Sequence, residues 1–359
     1  MKLLAIETSC DETAAAILSY QDGRVSVLGE AVSSQIALHA QFGGVVPNLA
    51  AREHVRNIVP IIETTLKAAK ISSDDIDCLA VTEGPGLIPA LLVGTTAAKT
   101  LALAWGKPLI GVNHLEGHIY ANLVSTDSPA PDFAFPLLAL IVSGGHTQLL
   151  LMRNHFQYEL LGETEDDAAG EAFDKVAKML GLPYPGGPEV SQRADAFRTE
   201  HPKLQANLFP RPLLKEEHYR FSFSGLKTAV LYFIQKNKEK LADENFVATV
   251  CHEFQEAVVD TLVGKTERAI QEFSPQTLVI AGGVSANRRL RERIETMIKQ
   301  YPGCTFRMPA FRYSLDNAVM IGAAGILRYA AMNETRRNEL KQNAITLEAS
   351  AHFPLTAKT

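Results

Sequence analysis

Residues 2–18 read KLLAIETSCDETAAAIL: an apolar run, a polar cluster, and a second apolar run. That pattern predicts strand, turn, strand, with hydroxyls and carboxylates of Ser9, Asp11 and Glu12 presented at the turn. Residues 137–152, LLALIVSGGHTQLLLM, repeat the design with a glycine-rich tip. Two such hairpins, each opening one half of the chain, predict a duplicated α/β unit with a cleft between the copies.

The intervening segments fit that plan. Residues 48–69 carry apolar side chains at helical spacing, namely Val55, Ile58, Val59, Ile62 and Leu66. Residues 76–81 read as a buried strand and 91–105 as an alanine-rich helix in which Gly94 permits close packing. A strand over 107–112 leads directly into Asn113-His114-Leu115-Glu116-Gly117-His118. In a helix, His114 and His118 lie one turn apart on the same face and can reach one ion. Imidazole suits iron, zinc, copper or nickel, so the pair alone leaves the metal open. Leu115, not Glu, follows His114, so this is not the metalloprotease helix.

Pro129, Pro131 and Pro136 mark a loop separating the halves. Beyond it, helices are predicted over 166–180, from after Lys227 to about 237, over 246–273 and over 288–299, a strand over 278–281, and a small-residue helix over 318–331. Residues 200–220 read as an insert. Gly282-Gly283 after a strand and before a helix suit backbone approach to a phosphate or sugar. They lack the Walker lysine and serine. Asp316-Asn317 is either an N-cap or the source of a third, carboxylate ligand to the histidine pair. Asp166 reads as a charge on a solvated helix, and the tail after Asn333 offers no motif.

At 359 residues the chain suggests about two domains. A net charge of −5 excludes a bulk basic surface, so a nucleic-acid partner requires a local patch or helper protein. Four scattered cysteines without CxxC spacing suit a reducing cytosol. No apolar run was long enough to predict a membrane span, and the expected location is cytoplasmic, with no membrane partner.

In order along the chain, IETSCDET, GPGLIPALLVG, NHLEGH, LIVSGGHTQ, DDAAGEAFDK, YPGGP, FSFSGLKTAV, GGVSAN and LDNAVMIGAAG resemble the TsaD family of tRNA N6-adenosine threonylcarbamoyltransferases. The resemblance implies an actin/sugar-kinase/Hsp70-like (ASKHA) fold, with five-stranded mixed sheets in two lobes. The implied lobes are 1–112 plus about 318–345, and 113–317. It implies transfer of a threonylcarbamoyl group from threonylcarbamoyl-AMP to N6 of the adenosine just 3′ of the anticodon, in tRNAs reading codons that begin with A. Carried over residue by residue, the metal ligands are His114, His118 and Asp316, holding one divalent ion per subunit, Fe2+ ahead of Zn2+. The adenylate donor lies against Ile141, Val142, Ser143, Gly144 and Gly145, and Asp174, Gly187 and Asn287 hold its nucleoside part. Ser9, Asp11 and Glu12 face the reacting atoms. The implied partners are tRNA, a TsaB-like paralogous subunit and a TsaE-like small ATPase, with a homodimer in isolation. Two positions depart from the family pattern: Leu315 replaces Thr before the metal aspartate, and Asn48 replaces a carboxylate at a helix start. Three rival readings follow from the same residues: an ATP-dependent kinase, a non-catalytic scaffold and a zinc peptidase. The kinase gives the histidine pair no purpose, scaffold paralogues lack that pair, and the peptidase lacks its base after His114.

Overall fold

The computed structural model describes residues 1–124, 132–202, 204 and 206–356. Pro129 and Pro131 of the expected separating loop lie outside them. The chain forms two compact units: Met1–Phe133 with Pro309–Thr359, and Ala134–Met308.

The first unit begins with β1 (Lys2–Glu7), β2 (Glu12–Gln21) and β3 (Arg24–Ser34), then α1 (Ile36–Ala40), α2 (Pro47–Ala69), β4 (Cys78–Gly84), α3 (Ile88–Trp105), β5 (Leu109–Asn113) and α4 (His114–Tyr120). The predicted hairpin is real: β1 and β2 pair antiparallel from Lys2 opposite Ser19 to Glu7 opposite Ala14. β4 joins β1 in parallel and β5 joins β4 in parallel, giving the order β3-β2-β1-β4-β5. Successive strand residues point to opposite faces, so β1 divides its side chains between two layers. Leu4 and Ile6 meet Ile58 and Ile62 of α2 and Ala98 and Ala102 of α3 in one apolar cluster.

α3 has 18 residues and a mean hydropathy of 1.3, long and apolar enough to cross a membrane by those measures alone. The sequence reading started this helix three residues late, at Leu91, and so found no such run; the structure starts it at Ile88. Its Ala90, Leu91, Gly94, Ala98 and Ala102 are buried against the unit.

The second unit comprises β6 (Leu137–Val142), β7 (Thr147–Asn154), β8 (Gln157–Glu163), α5 (Ala169–Met179), α6 (Gly186–Glu200), α7 (Ser224–Lys236), α8 (Glu244–Phe273), β9 (Thr277–Ala281), α9 (Arg288–Ile298) and β10 (Thr305–Arg307). Its sheet runs β10-β9-β6-β7-β8. β6 pairs antiparallel with β7 and parallel with β9, as β1 does with β2 and β4. The duplication is therefore one of topology, strand by strand. Phe173, Val230, Phe254 and Leu262 from three helices bury against Leu138, Leu140 and Ile280 of this sheet.

Asp166, expected as a solvated charge, is bonded. Its Oδ1 accepts from the backbone N–H of Phe223 at 2.8 Å and of Ser224 at 3.2 Å, and its Oδ2 from Ser222 Oγ at 2.5 Å. Those donors open α7, whose first N–H groups have no partner within the helix. The stretch expected as an insert packs on α8 where it is described: Phe209 is buried, and Arg211 Nη2 lies 3.0 Å from Asp260.

The chain then re-enters the first unit with α10 (Ala318–Ala331) and α11 (Glu334–Gln342). The lobe boundary expected at 112/113 falls instead after Phe133, and the return begins at Pro309. The reason is the packing of α4 on α10. A Cβ at Gly117 would sit 2.8 Å from Ile321 Cδ1, and Arg328 Nη2 lies 2.8 Å from the buried Glu116 carboxylate.

Candidate metal centre

Strand β5 runs straight into α4, and Asn113 makes the join. Its Oδ1 accepts from the N–H of Leu115 at 2.8 Å and of Glu116 at 3.4 Å. An Asn cap of this kind satisfies N–H groups that the helix leaves unpaired. The first and fifth residues of α4 are His114 and His118, both buried, with ring centroids 4.7 Å apart. The third side chain comes from just before α10. There Asn317 is the N-cap, its Oδ1 accepting from Met320 N at 3.0 Å. The two readings of Asp316-Asn317 are thus divided between neighbours: Asn317 caps, and Asp316 turns to the histidines.

Asp316 Oδ1 lies 3.2 Å from His118 Nε2 and 3.5 Å from His114 Nε2. The donor atoms of the three residues all lie within 4.8 Å of one another. Ligands on a common ion at bonds of about 2.1 Å stand roughly 3.0–3.4 Å apart. The spacing fits. A buried anomaly points the same way: His118 Nε2, sealed from solvent, faces Asp316 Oδ1 at 3.2 Å without the geometry of a hydrogen bond. A buried polar group without a partner is costly, and an ion between the ligands would satisfy it.

The other nitrogen of His114 is also accounted for. Nδ1 lies 3.2 Å from Glu7 Oε2 and 3.1 Å from Ser9 Oγ. Glu7 is fully buried at the end of β1; Thr82 Oγ1 donates to it at 2.5 Å, and the Ser9 N–H donates to its other oxygen. A carboxylate behind a liganding imidazole fixes the ring and its tautomer. Ser9, expected at the reacting atoms, contacts the back of a candidate metal ligand. Glu7 was not singled out in the sequence, where it read as the first residue of the polar turn cluster.

The electrostatics follow from burial and this arrangement. Burial disfavours a charged His118 and lowers its pKa, leaving the neutral ring a metal needs. Burial opposes charge on His114 too, but the Asp316 and Glu7 carboxylates outweigh it and raise its pKa well above the usual value. Burial alone would raise Asp316, yet the two imidazoles hold it far below the ordinary carboxylate range. Glu12 is pushed up to about 10 by burial and then by the charges of Asp316 and Asp11. Asp11 and Glu12 are both 8% exposed, at the β1–β2 turn and the start of β2.

In the second unit, the expected donor residues gather at the β6–β7 turn and the helix starts beside it. Ile141 and Val142 are fully buried strand residues, so only their backbone is available to a ligand. Gly144 and Gly145 are exposed, with open space where a Cβ would stand. The turn is held close to two neighbours: a Cβ at Gly170 would sit 2.6 Å from Ser143 O, and one at Gly282 2.6 Å from Val142 O. Asp174 Oδ1 accepts from Gly186 N at 2.8 Å, at the start of α6. Burial raises Asp174 against the lowering pull of the Gly186 and Gly187 N–H groups. Space beside Gly187 is open. Asn287 caps α9 through Leu290 N, and its Nδ2 donates to Ser191 Oγ and Gln255 Oε1, each at 2.8 Å. Both donors of that amide are thus already engaged within the protein.

A family model described as "TsaD: tRNA N6-adenosine threonylcarbamoyltransferase" matches residues 26–323. A tRNA N6-adenosine threonylcarbamoyltransferase of Bacillus subtilis (strain 168) is 47% identical over 332 residues, 92% of this chain and 91% of its own. Another, from Anaeromyxobacter sp. (strain Fw109-5), is 49% identical over 325 residues, 90% of this chain and 93% of its own. Among solved structures, full-length HypF in its phosphate- and nucleotide-bound form superposes with a TM-score of 0.60 at 14% identity, covering 93% of this chain and 47% of HypF. At that identity the likeness speaks for fold alone, and the fold is the ASKHA type, with its duplicated five-stranded mixed sheets.

Proposed function

Because the chain belongs to the TsaD family of tRNA N6-adenosine threonylcarbamoyltransferases, we propose the following reaction for it. It takes the threonylcarbamoyl group from threonylcarbamoyl-AMP to N6 of the adenosine just 3′ of the anticodon, in tRNAs reading codons that begin with A. The observation that carries this reading is the family match over 26–323, which takes in the three candidate metal ligands and all the donor-loop residues of the second unit.

In the reaction a C–N bond forms between the carbamoyl carbon and N6, the C–O bond to the phosphate breaks, N6 loses a proton and AMP departs. A divalent ion on His114, His118 and Asp316, Fe2+ ahead of Zn2+, supplies Lewis acidity and a template for phosphate or carbamate oxygens. Glu7 and Ser9 keep the His114 ring turned toward Asp316. The backbone N–H groups of Gly144 and Gly145, with no side chain in the way, donate to donor oxygens whose charge grows as AMP leaves. Asp174 fixes the turn at Gly186 and Gly187, against which the nucleoside rests, and Asn287 shapes the same region by joining α6, α8 and α9. The two carboxyls at the β1–β2 turn, Asp11 and Glu12, are the candidate acceptors of the N6 proton.

A net charge of −5 supports a requirement for TsaB-like and TsaE-like partners in holding tRNA. The four unpaired cysteines suit a cytoplasmic location. The test is incubation with threonylcarbamoyl-AMP, tRNA and those partners, followed by nucleoside analysis. Modified adenosine and one AMP per transfer are expected, with loss of both in folded His114→Ala and Asp316→Ala. Full transfer by metal-stripped protein would remove the ion from the mechanism; no modified nucleoside from the wild type would remove the donor.

A further inference from the structure

The last described residues return to the base of α4. Ala344 is buried, and Leu347 packs on the apolar cluster that holds Ile76, Leu79 and Leu109. Ser350 N donates to Glu83 O at 2.8 Å, beside the end of β4. Asn113 Nδ2 donates to Phe353 O at 2.5 Å. Two glycines make room for this course: a Cβ at Gly84 would stand 2.1 Å from Ser350 O, and one at Gly111 3.0 Å from Leu347 Cδ1. The same Asn113 amide turns its oxygen to the first N–H groups of α4. One planar group therefore joins the C-terminal segment to the helix start, and the next residue is His114.

We propose that residues 344–353 are a strap that positions the metal-bearing helix through Asn113 and so sets how long the triad retains its ion. The amide of Asn113 is locked at both ends. With Phe353 removed, its nitrogen faces water, the amide can rotate, and the oxygen leaves the N–H groups of Leu115 and Glu116 less firmly held. The first turn of α4 loosens, and with it the His114 ring. Metal sites depend on ligands held in place before the ion arrives, and outer supports are worth about 10- to 100-fold in affinity. Asn113 and the strap are positioning elements; neither touches the ion.

This inference rests on the metal reading above, and its test separates the two. The full chain, a chain ending at Asn343 and Asn113→Asp are loaded with Zn2+, and its release to a chromophoric chelator is timed. Circular dichroism and thermal melting are followed in parallel. Asn113→Asp keeps the cap oxygen but has no N–H for Phe353 O. Its added negative charge would by itself slow release, so faster release isolates the strap. Release about tenfold faster than the full chain is expected in both variants, with helix content unchanged. If the shortened chain fails to fold, Asn113→Asp decides alone. Release no faster than wild type in the folded variants overturns the strap and leaves the metal reading standing. Failure of the full chain to take up Zn2+ overturns both.

Discussion

Glu7 Oε2 lies 3.2 Å from His114 Nδ1, and both side chains are buried, the carboxylate completely. This pair joins the first strand of the chain to the helix that carries the histidines. It makes the end of β1 part of the candidate metal centre.

Glu7→Gln keeps the size of the side chain and removes its charge. Zn2+ affinity, measured by competition with a calibrated chelator, is expected to fall by about tenfold. Glu7→Ala also leaves the Ser9 N–H without its acceptor, and should cost a further 1–3 kcal/mol, roughly, in denaturant unfolding. Unchanged Zn2+ affinity in Glu7→Gln would show that the carboxylate does not support the ligand.

Gly94 lies where a Cβ would meet Thr8 Oγ1 at 2.3 Å, and that hydroxyl donates to Ala90 O at 3.0 Å. Gly94→Ala must push Thr8 aside in a packed interior. A loss of about 1–3 kcal/mol is expected in guanidinium unfolding. Because Ser9 follows Thr8, Zn2+ binding should weaken too; a variant as stable as wild type would mean that this contact relaxes freely.

Asp166 accepts two N–H groups at the start of α7 and the hydroxyl of Ser222. Asp166→Ala should lower unfolding stability by about 1–2 kcal/mol, and Asp166→Asn by less, since an amide oxygen still caps. Equal loss in the two variants would indicate that the charge, not the cap, matters.

Lys265, on α8, is buried and donates to His218 O at 2.7 Å. Burial, then the Arg268 guanidinium, lowers its pKa from 10.5 to about 8. Between those values the unfolded chain binds the proton and the folded chain does not, so this group makes stability rise with pH. Below about pH 8 both states are charged and the penalty of burying the ammonium is fully present. Denaturation midpoints compared from about pH 8 to about pH 10.5 should show a positive contribution that Lys265→Met removes. An identical pH profile in the two proteins would contradict the shift.

The inner strands were legible as short continuous apolar runs, and the long helices because their apolar side chains repeat with the helical period. β3 was not legible: along Arg24–Ser34 only Val25 is buried, and its pairing with β2 shifts register at Ile17/Leu18. β8 has the same problem, with one buried residue in seven. α6 hid behind Tyr184-Pro185-Gly186-Gly187-Pro188, which reads as a turn; the helix starts at Gly186, and Pro188 falls in its first turn, where a missing N–H costs nothing. At the candidate metal centre the spacing of His114 and His118 was legible as one face of a helix. Asp316 was legible only as one of two alternatives, a cap or a ligand, since no local pattern joins residues so far apart. Glu7, Asn113 and Phe353 act through contacts that only tertiary structure creates.

The first unit is assembled from both ends of the chain, Met1–Phe133 and Pro309–Thr359, with the whole of the second unit encoded between them. Translation therefore delivers His114 and His118 long before Asp316. While the ribosome is still making the second unit, the nascent histidine pair has no carboxylate partner from α10 and no strap below it. The second unit has all its strands and can fold first, whereas the triad closes only once Asp316 has been made. Completion of the triad is thus a late event in the life of each molecule, set by the order of the gene.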